Sequence, residues 1–75
     1  MDNIINAIIS EYNEATSKYP SFHSTHEGYA VIKEEVDELW DMVKANKGIN
    51  GDDAMQKECI QIAAMAIRFI KDLCQ

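Results

Sequence analysis

The stretch from Glu34 to Asp41 places five carboxylates within eight residues, and one more acid, Glu58, stands in a later apolar segment. Like charges one helical turn apart destabilise a helix by roughly 0.2–0.5 kcal/mol per pair. We therefore expect a positively charged partner for this stretch. Hard divalent cations such as Mg²⁺ take carboxylate oxygens as ligands, so the simplest prediction is a magnesium site.

The spacing of these acids indicates which of them can share a site. Glu35 and Glu38 stand three residues apart, so both lie on one face of a helix, and Glu58 and Gln61 repeat that spacing later in the chain. A purely exposed acidic face, with nearby lysines as ion partners, is the alternative interpretation of the same residues.

Periodic apolar residues divide the chain into three predicted helices, which cover residues 2–17, 24–46 and 52–73. Pro20 interrupts the pattern after the first helix because proline has no amide hydrogen to donate. Ser24 and Glu27 form a predicted capping box at the start of the second helix. Asp52 or Asp53 is the predicted N-cap of the third.

A short turn predicted at residues 46–51 makes the second and third helices antiparallel neighbours. Glu38 and Glu58 lie ten residues before and ten residues after Gly48, so the turn brings them to similar heights. Carboxylates that project inward from facing helices are how helical bundles hold metal ions. The elements are therefore expected to assemble the acids into one site.

The second helix carries two lines of side chains. One is apolar at three- and four-residue spacing, and it consists of Tyr29, Ile32, Val36, Leu39, Trp40 and Val43. This face is predicted to lie in the core or in an interface, Trp40 included. The other line sets Glu35 and Glu38 between apolar residues, so we expect these two carboxylates to face something other than open solvent.

The third helix is apolar around most of its axis and must be covered on several sides. A 75-residue chain buries only about 60% of its unfolded surface, and three helices cover such a helix poorly. The predicted fold is a single all-α domain, residues 1–75, with three main helices. We expect a homodimer or higher homo-oligomer to complete a larger helical bundle.

Composition excludes several function classes. The net charge of −6 is opposite to that of a nucleic-acid groove, so no nucleic-acid polymer is expected as a partner. No apolar run approaches the ~18 residues of a membrane span, and no signal peptide is recognised. Cys59 and Cys74 stand about 22 Å apart along one predicted helix and cannot bridge, which is typical of the reducing cytoplasm.

The motif Glu34-Glu35-x-x-Glu38, followed by Glu58-x-x-Gln61, resembles the EExxE…ExxD signature of the MazG-like, all-α nucleoside triphosphate pyrophosphohydrolases. The resemblance covers about residues 22 to 73. It implies Mg²⁺-dependent cleavage of a nucleoside triphosphate to the monophosphate and pyrophosphate. The implied metal ligands are Glu35, Glu38, Glu58 and Gln61, and the three glutamates are also the implied catalytic residues.

The sequence departs from the signature at Gln61, where the family has Asp. An amide still offers a carbonyl oxygen, but it removes one negative charge, so metal affinity is expected to fall. Lys57, Arg68 and Lys71 lie on one side of the third helix and are the candidates for phosphate contacts. An exposed basic edge that pairs with the acidic helix is the alternative for these three residues.

Two other functions remain open at this point. A nucleotide-binding module that does not hydrolyse its ligand is favoured by the missing charge at Gln61. A helical protein-interaction module is favoured if the acidic face is solvent-exposed.

Overall fold

The computed structural model describes residues 1–45 and 49–75, which form three α-helices and no strand. They are α1, Asp2–Lys18; α2, Thr25–Ala45; and α3, Ile49–Leu73. The prediction of an all-α fold with three main helices is confirmed. None of the described helices is both long enough and apolar enough to cross a membrane.

Helix α3 is the central element, because α1 and α2 both pack on it. Ile4 and Ile8 of α1 lie beside Ile60, and Ala15 clusters with Met65, so α1 runs parallel to α3. Gly28, near the start of α2, lies against Phe69, and Glu38, further along α2, lies near Glu58, which is earlier in α3, so α2 runs antiparallel to α3. Among the described residues, no Cα atom of α1 comes within 8 Å of one in α2.

The predicted helix starts are correct in part. The amide of Glu27 donates to the Ser24 hydroxyl at 3.1 Å, as a capping box requires. The Glu27 carboxylate, however, accepts the amide hydrogen of His23 at 2.6 Å instead of reaching back to Ser24. The amide of His23 precedes α2 and is not bonded to a backbone carbonyl of the helix. The side-chain carboxylate of Glu27 accepts its hydrogen instead.

Helix α3 begins earlier than the sequence predicted. It starts at Ile49, and Asp52 lies inside its first turn instead of capping it. A carboxylate in the first turn still interacts favourably with the helix dipole. An aspartate at residue 52 is therefore compatible with a helix that begins at Ile49 and with one that it caps. The turn predicted at residues 46–51 is wrong for residues 49–51, which belong to α3, and residues 46–48, Gly48 among them, lie outside the described residues.

The core of the described chain is small and lies where α1, α3 and the α1–α2 connection meet. It consists of Ala15, Phe22, Ala64 and Met65, with half-buried apolar neighbours around it. Ala64 is fully buried, but no large side chain in the described part is. The helices therefore cover one another only partly.

Of the two places predicted for Trp40, the core of the single chain does not cover it, because the residue is 57% exposed, and an interface stays a prediction. Tyr29, Val36 and Val43 of the same predicted face are also exposed. Helix α2 instead approaches α3 on the side of Gly28. The missing side chain of that glycine admits the ring of Phe69, so the helices come closest along a neighbouring face.

Candidate metal centre and adjoining groove

Glu35 and Glu38 of α2 lie opposite Glu58 of α3. One carboxylate oxygen from each residue can be chosen so that all three lie within 4.8 Å of one another. The three-residue spacing on α2 supplies the first two, and antiparallel packing supplies the third. The structure therefore brings three of the four predicted ligand positions together.

Glu58 is the most buried of the three acids, with 5% of its surface exposed. Its Oε1 atom and Oε2 of Glu35 are both buried, and neither has a hydrogen-bond partner among the described residues. An unsatisfied buried polar group costs about 1–3 kcal/mol, and more when charged. A proton shared between the carboxylates, or a cation, would satisfy such atoms.

The pKa values of two members of the cluster are raised above the ordinary value of 4.5. Burial raises the pKa of Glu58 most, and the neighbouring carboxylate of Glu35 adds to the effect. The neighbouring carboxylate of Glu58 raises the pKa of Glu38. Like charges this close disfavour ionisation of the whole set, so a proton or a metal ion stabilises the cluster.

The donor atoms fit a hard divalent cation. Three carboxylates offer oxygen ligands, and oxygen ligands are what Mg²⁺ and Ca²⁺ prefer. Gln61 is half-buried one turn beyond Glu58 on α3 and lines the space beside Glu35. Its side chain adds an uncharged oxygen at most, because an amide carries no negative charge.

A groove of about 470 Å³ adjoins the cluster between α1 and α2, with α3 as its floor. Its apolar lining includes Ala15, Phe22, Val31 and Met65, and its polar lining includes Glu11, Glu27, Gln61 and Arg68. Glu35 belongs both to the groove and to the acidic cluster. A volume of this size, mostly apolar with a few polar groups, is typical of a small-molecule site.

Arg68 holds the α1–α2 connection against α3. Its guanidinium donates a hydrogen bond to the carbonyl oxygen of Pro20 at 2.7 Å and lies 4.5 Å from the ring centre of Phe22. Asp72 accepts the amide hydrogen of Phe22 at 3.0 Å. Arg68, only 4% exposed, thus builds one wall of the groove.

The other two predicted phosphate contacts lie elsewhere. Lys57 and Lys71 are exposed, in contrast to the buried Arg68. Lys57 stands about 16 Å from Arg68 along the axis of α3, at 1.5 Å per residue. The three residues therefore do not form one compact cationic cluster.

Sequence reasoning missed the contribution of α1 and of the connection after it. Glu11 and Ala15 form one side of the groove, and Pro20 and Phe22 close one end. A small residue at Ala15 within an otherwise bulky apolar stripe was the available signal. Periodicity does not show which helix faces such a gap.

Comparison of the chain with protein-family models, with curated proteins and with solved structures finds no match.

Proposed function

We propose that the chain is a Mg²⁺-dependent nucleoside triphosphate pyrophosphohydrolase of the MazG-like type, as its sequence motif implies. The observation that carries the proposal is the buried carboxylate of Glu58, with an oxygen that lacks a partner among the described residues, beside Glu35 and Glu38. Those three residues, with Gln61, would hold the cation.

The cation, when bound, would neutralise phosphate charge and lower the pKa of a coordinated water. Glu38 is the most exposed of the three acids, so its second oxygen has room to orient that water as a general base. The groove beside Glu35 offers an apolar wall to the nucleoside. Lys57, which precedes Glu58 in the chain, remains the proposed phosphate contact, whereas Lys71 lies about 20 Å farther along α3.

A second candidate is a module that binds a nucleotide without cleaving it. The observation that favours it is Gln61, because the neutral amide leaves the donor set one charge short of the motif. Hydrolysis depends on the charge of the metal site more strongly than binding in the groove does.

Homo-oligomerisation and a cytoplasmic location belong to the same proposal. Ten large apolar side chains of the described residues are exposed, which supports association of copies. The free and exposed thiols of Cys59 and Cys74 support a reducing compartment.

The experiment is a thermal-unfolding panel with Mg²⁺ alone, with each nucleoside triphosphate alone, and with both, in which pyrophosphate is assayed in the same wells. A ligand at 100 times its Kd adds about 2.7 kcal/mol of stability. A nucleotide-dependent shift with pyrophosphate release supports the enzyme. A shift without release supports the binding module, and no shift with any metal or nucleotide rejects both.

Two variants assign the effect to the site. Gln61→Asp restores the charge of the motif, so we expect tighter Mg²⁺ binding by titration calorimetry. Glu34→Gln removes an exposed charge next to the cluster and is expected to change Mg²⁺ binding little. Equal effects of the two variants would contradict the assignment of Gln61.

A further inference from the structure

The groove is lined in two successive layers, to which each of the three helices contributes one residue. The polar layer consists of Glu11, Glu35 and Gln61. The apolar layer consists of Ala15, Val31 and Met65. On each helix the two lining residues stand four positions apart, which is close to one turn. The layers are therefore separated by about 6 Å along the groove, at 1.5 Å per residue.

The helix directions fix which end of the groove each layer occupies. Ala15 of α1 clusters with Met65 of α3. Because α1 and α3 run parallel, Glu11 and Gln61, which stand one turn earlier on these helices, also lie at about the same height. Glu35 supplies the α2 wall at this height and belongs to the acidic cluster as well. The polar layer is therefore the end of the groove next to the cluster, and the apolar layer lies beyond it.

Glu11 is the acid of the polar layer that no other contact occupies. It is half-buried, and no side-chain hydrogen bond or ion pair among the described residues uses its carboxylate. By contrast, Glu14 on the same helix is exposed and pairs with Lys18 at 2.8 Å. An ionised carboxylate only accepts hydrogen bonds, so a ligand group that meets Glu11 must be a donor.

The order of the layers indicates which part of a nucleotide meets Glu11. In the proposed function the phosphates bind the cation at the acidic cluster, and the sugar joins the phosphates to the base. A nucleotide that lies along the groove therefore places its sugar at the polar layer and its base at the apolar layer. Sugar hydroxyls are donors, and an acidic side chain holds the ribose hydroxyl in the same way in dinucleotide-binding folds.

We propose that Glu11 accepts hydrogen bonds from the ribose hydroxyls of the bound nucleotide, and that the groove selects ribonucleoside over 2′-deoxyribonucleoside triphosphates. This inference rests on the proposed function, because the cation at the cluster sets the direction in which the nucleotide lies. The two neighbouring hydroxyls of ribose can bond both oxygens of one carboxylate, whereas deoxyribose offers a single hydroxyl. A site built to bond a hydroxyl rejects the analogue that lacks it, because its own polar group is then left unpaired.

The affinity of the full chain for paired ribose and 2′-deoxyribose ligands tests the inference. The probes are α,β-methylene nucleoside triphosphates with Mg²⁺, in which a carbon replaces the bridging oxygen of the bond that the proposed reaction breaks. Titration calorimetry then measures binding without turnover. For each base we expect the ribose form to bind about tenfold more tightly, since the deoxy form loses a hydrogen bond to a charged group.

Two variants assign this preference to Glu11. Glu11→Ala is expected to make the two affinities nearly equal, whereas Glu14→Ala, the matched control outside the groove on the same helix, should keep their ratio. A purely structural role of Glu11 would weaken both forms alike and leave the ratio unchanged.

Two results would overturn the inference and leave the proposed function standing. They are equal affinities in the unmodified chain, and an unchanged ratio in Glu11→Ala, when ordinary nucleoside triphosphates still release pyrophosphate. A chain that binds no nucleotide in the presence of Mg²⁺ would reject the proposed function and this inference together.

Discussion

At the residue scale, Glu58 carries a carboxylate where the described residues provide no hydrogen-bond donor for one of its oxygens. The residue is nearly inaccessible, and two further acids stand within 4.8 Å. A group in this position weakens the folded chain unless a cation or a proton occupies the cluster. Two predictions concern this residue.

Replacement of Glu58 by Gln is expected to stabilise the metal-free chain by about 1–3 kcal/mol, because the change removes an unsatisfied buried charge and keeps the shape. The same variant should lose the stabilisation that Mg²⁺ gives the unmodified chain. Urea unfolding with and without Mg²⁺ measures both effects. Glu34→Gln is the control, and a destabilised Glu58→Gln chain in the absence of metal would contradict this account.

Stability of the metal-free chain should depend on pH through the same cluster. Glu38 and Glu58 have pKa values above the ordinary 4.5, so the folded chain binds more protons than the unfolded chain above that pH. Their contribution is complete below about pH 4.5 and is lost as pH rises through the raised pKa values. Urea unfolding in chelator between pH 4.5 and 7 should show this slope.

Glu58→Gln is expected to flatten the slope. A hydrogen bond and the charge of Lys18 lower the pKa of Glu14. Its contribution to folding stability is therefore lost as pH falls below 4.5, which is the opposite pH dependence and lies mainly outside the measured range. A slope that is identical in both chains would show that the cluster does not titrate as its burial implies.

At the element scale, the contact between α2 and α3 depends on Gly28. A Cβ atom at this position would lie 2.6 Å from a ring carbon of Phe69 and 3.1 Å from a methyl carbon of Leu73. Gly28→Ala gains about 1 kcal/mol of helix propensity but forces an overpacking that costs about 1–3 kcal/mol. We expect net destabilisation by about 1 kcal/mol in urea unfolding.

A second variant, Phe69→Leu, tests whether the contact with the Phe69 ring is what destabilises Gly28→Ala. In a Phe69→Leu background the smaller side chain leaves room, so Gly28→Ala should be neutral or stabilising there. The same loss in both backgrounds would mean that the clash with the ring is not what excludes alanine.

The α1–α2 connection is attached to α3 by Arg68. Arg68→Met keeps the volume but removes the hydrogen bond to Pro20 and the contact with the Phe22 ring, at a cost of about 2 kcal/mol. Lys71→Met, an exposed change on the same helix, should stay within about 0.5 kcal/mol. Urea unfolding compares the two, and equal costs would exclude an attachment role for Arg68.

The sequence contained the local features of these elements but not their long-range contacts. Ser24 with Glu27, the common face of Glu35 and Glu38, and the position of Glu58 on a buried helix face follow from short-range periodicity. Arg68 could not be placed, because its partner Pro20 lies 48 residues away. Periodicity also identified the face of Trp40 as apolar, but it could not show that α3 packs beside that face.

At the scale of the whole molecule, the described chain buries few large side chains and leaves many exposed. If pairing supplies the missing cover, stability must depend on protein concentration, since a dimer is favoured by mass action. Each tenfold dilution should lower the stability of the pair by about 1.4 kcal/mol. Urea midpoints measured across three decades of concentration test this, and a constant midpoint would contradict it.

The acidic cluster and the groove depend on different sets of helices. Helices α1 and α2 both pack on α3 and do not approach each other in the described residues. The acidic cluster uses only α2 and α3, whereas α1 supplies Glu11 and Ala15 to the groove alone. If the groove binds a small molecule as proposed, substitutions on the groove side of α1 would change which molecule it accepts without changing the elements that hold the three carboxylates.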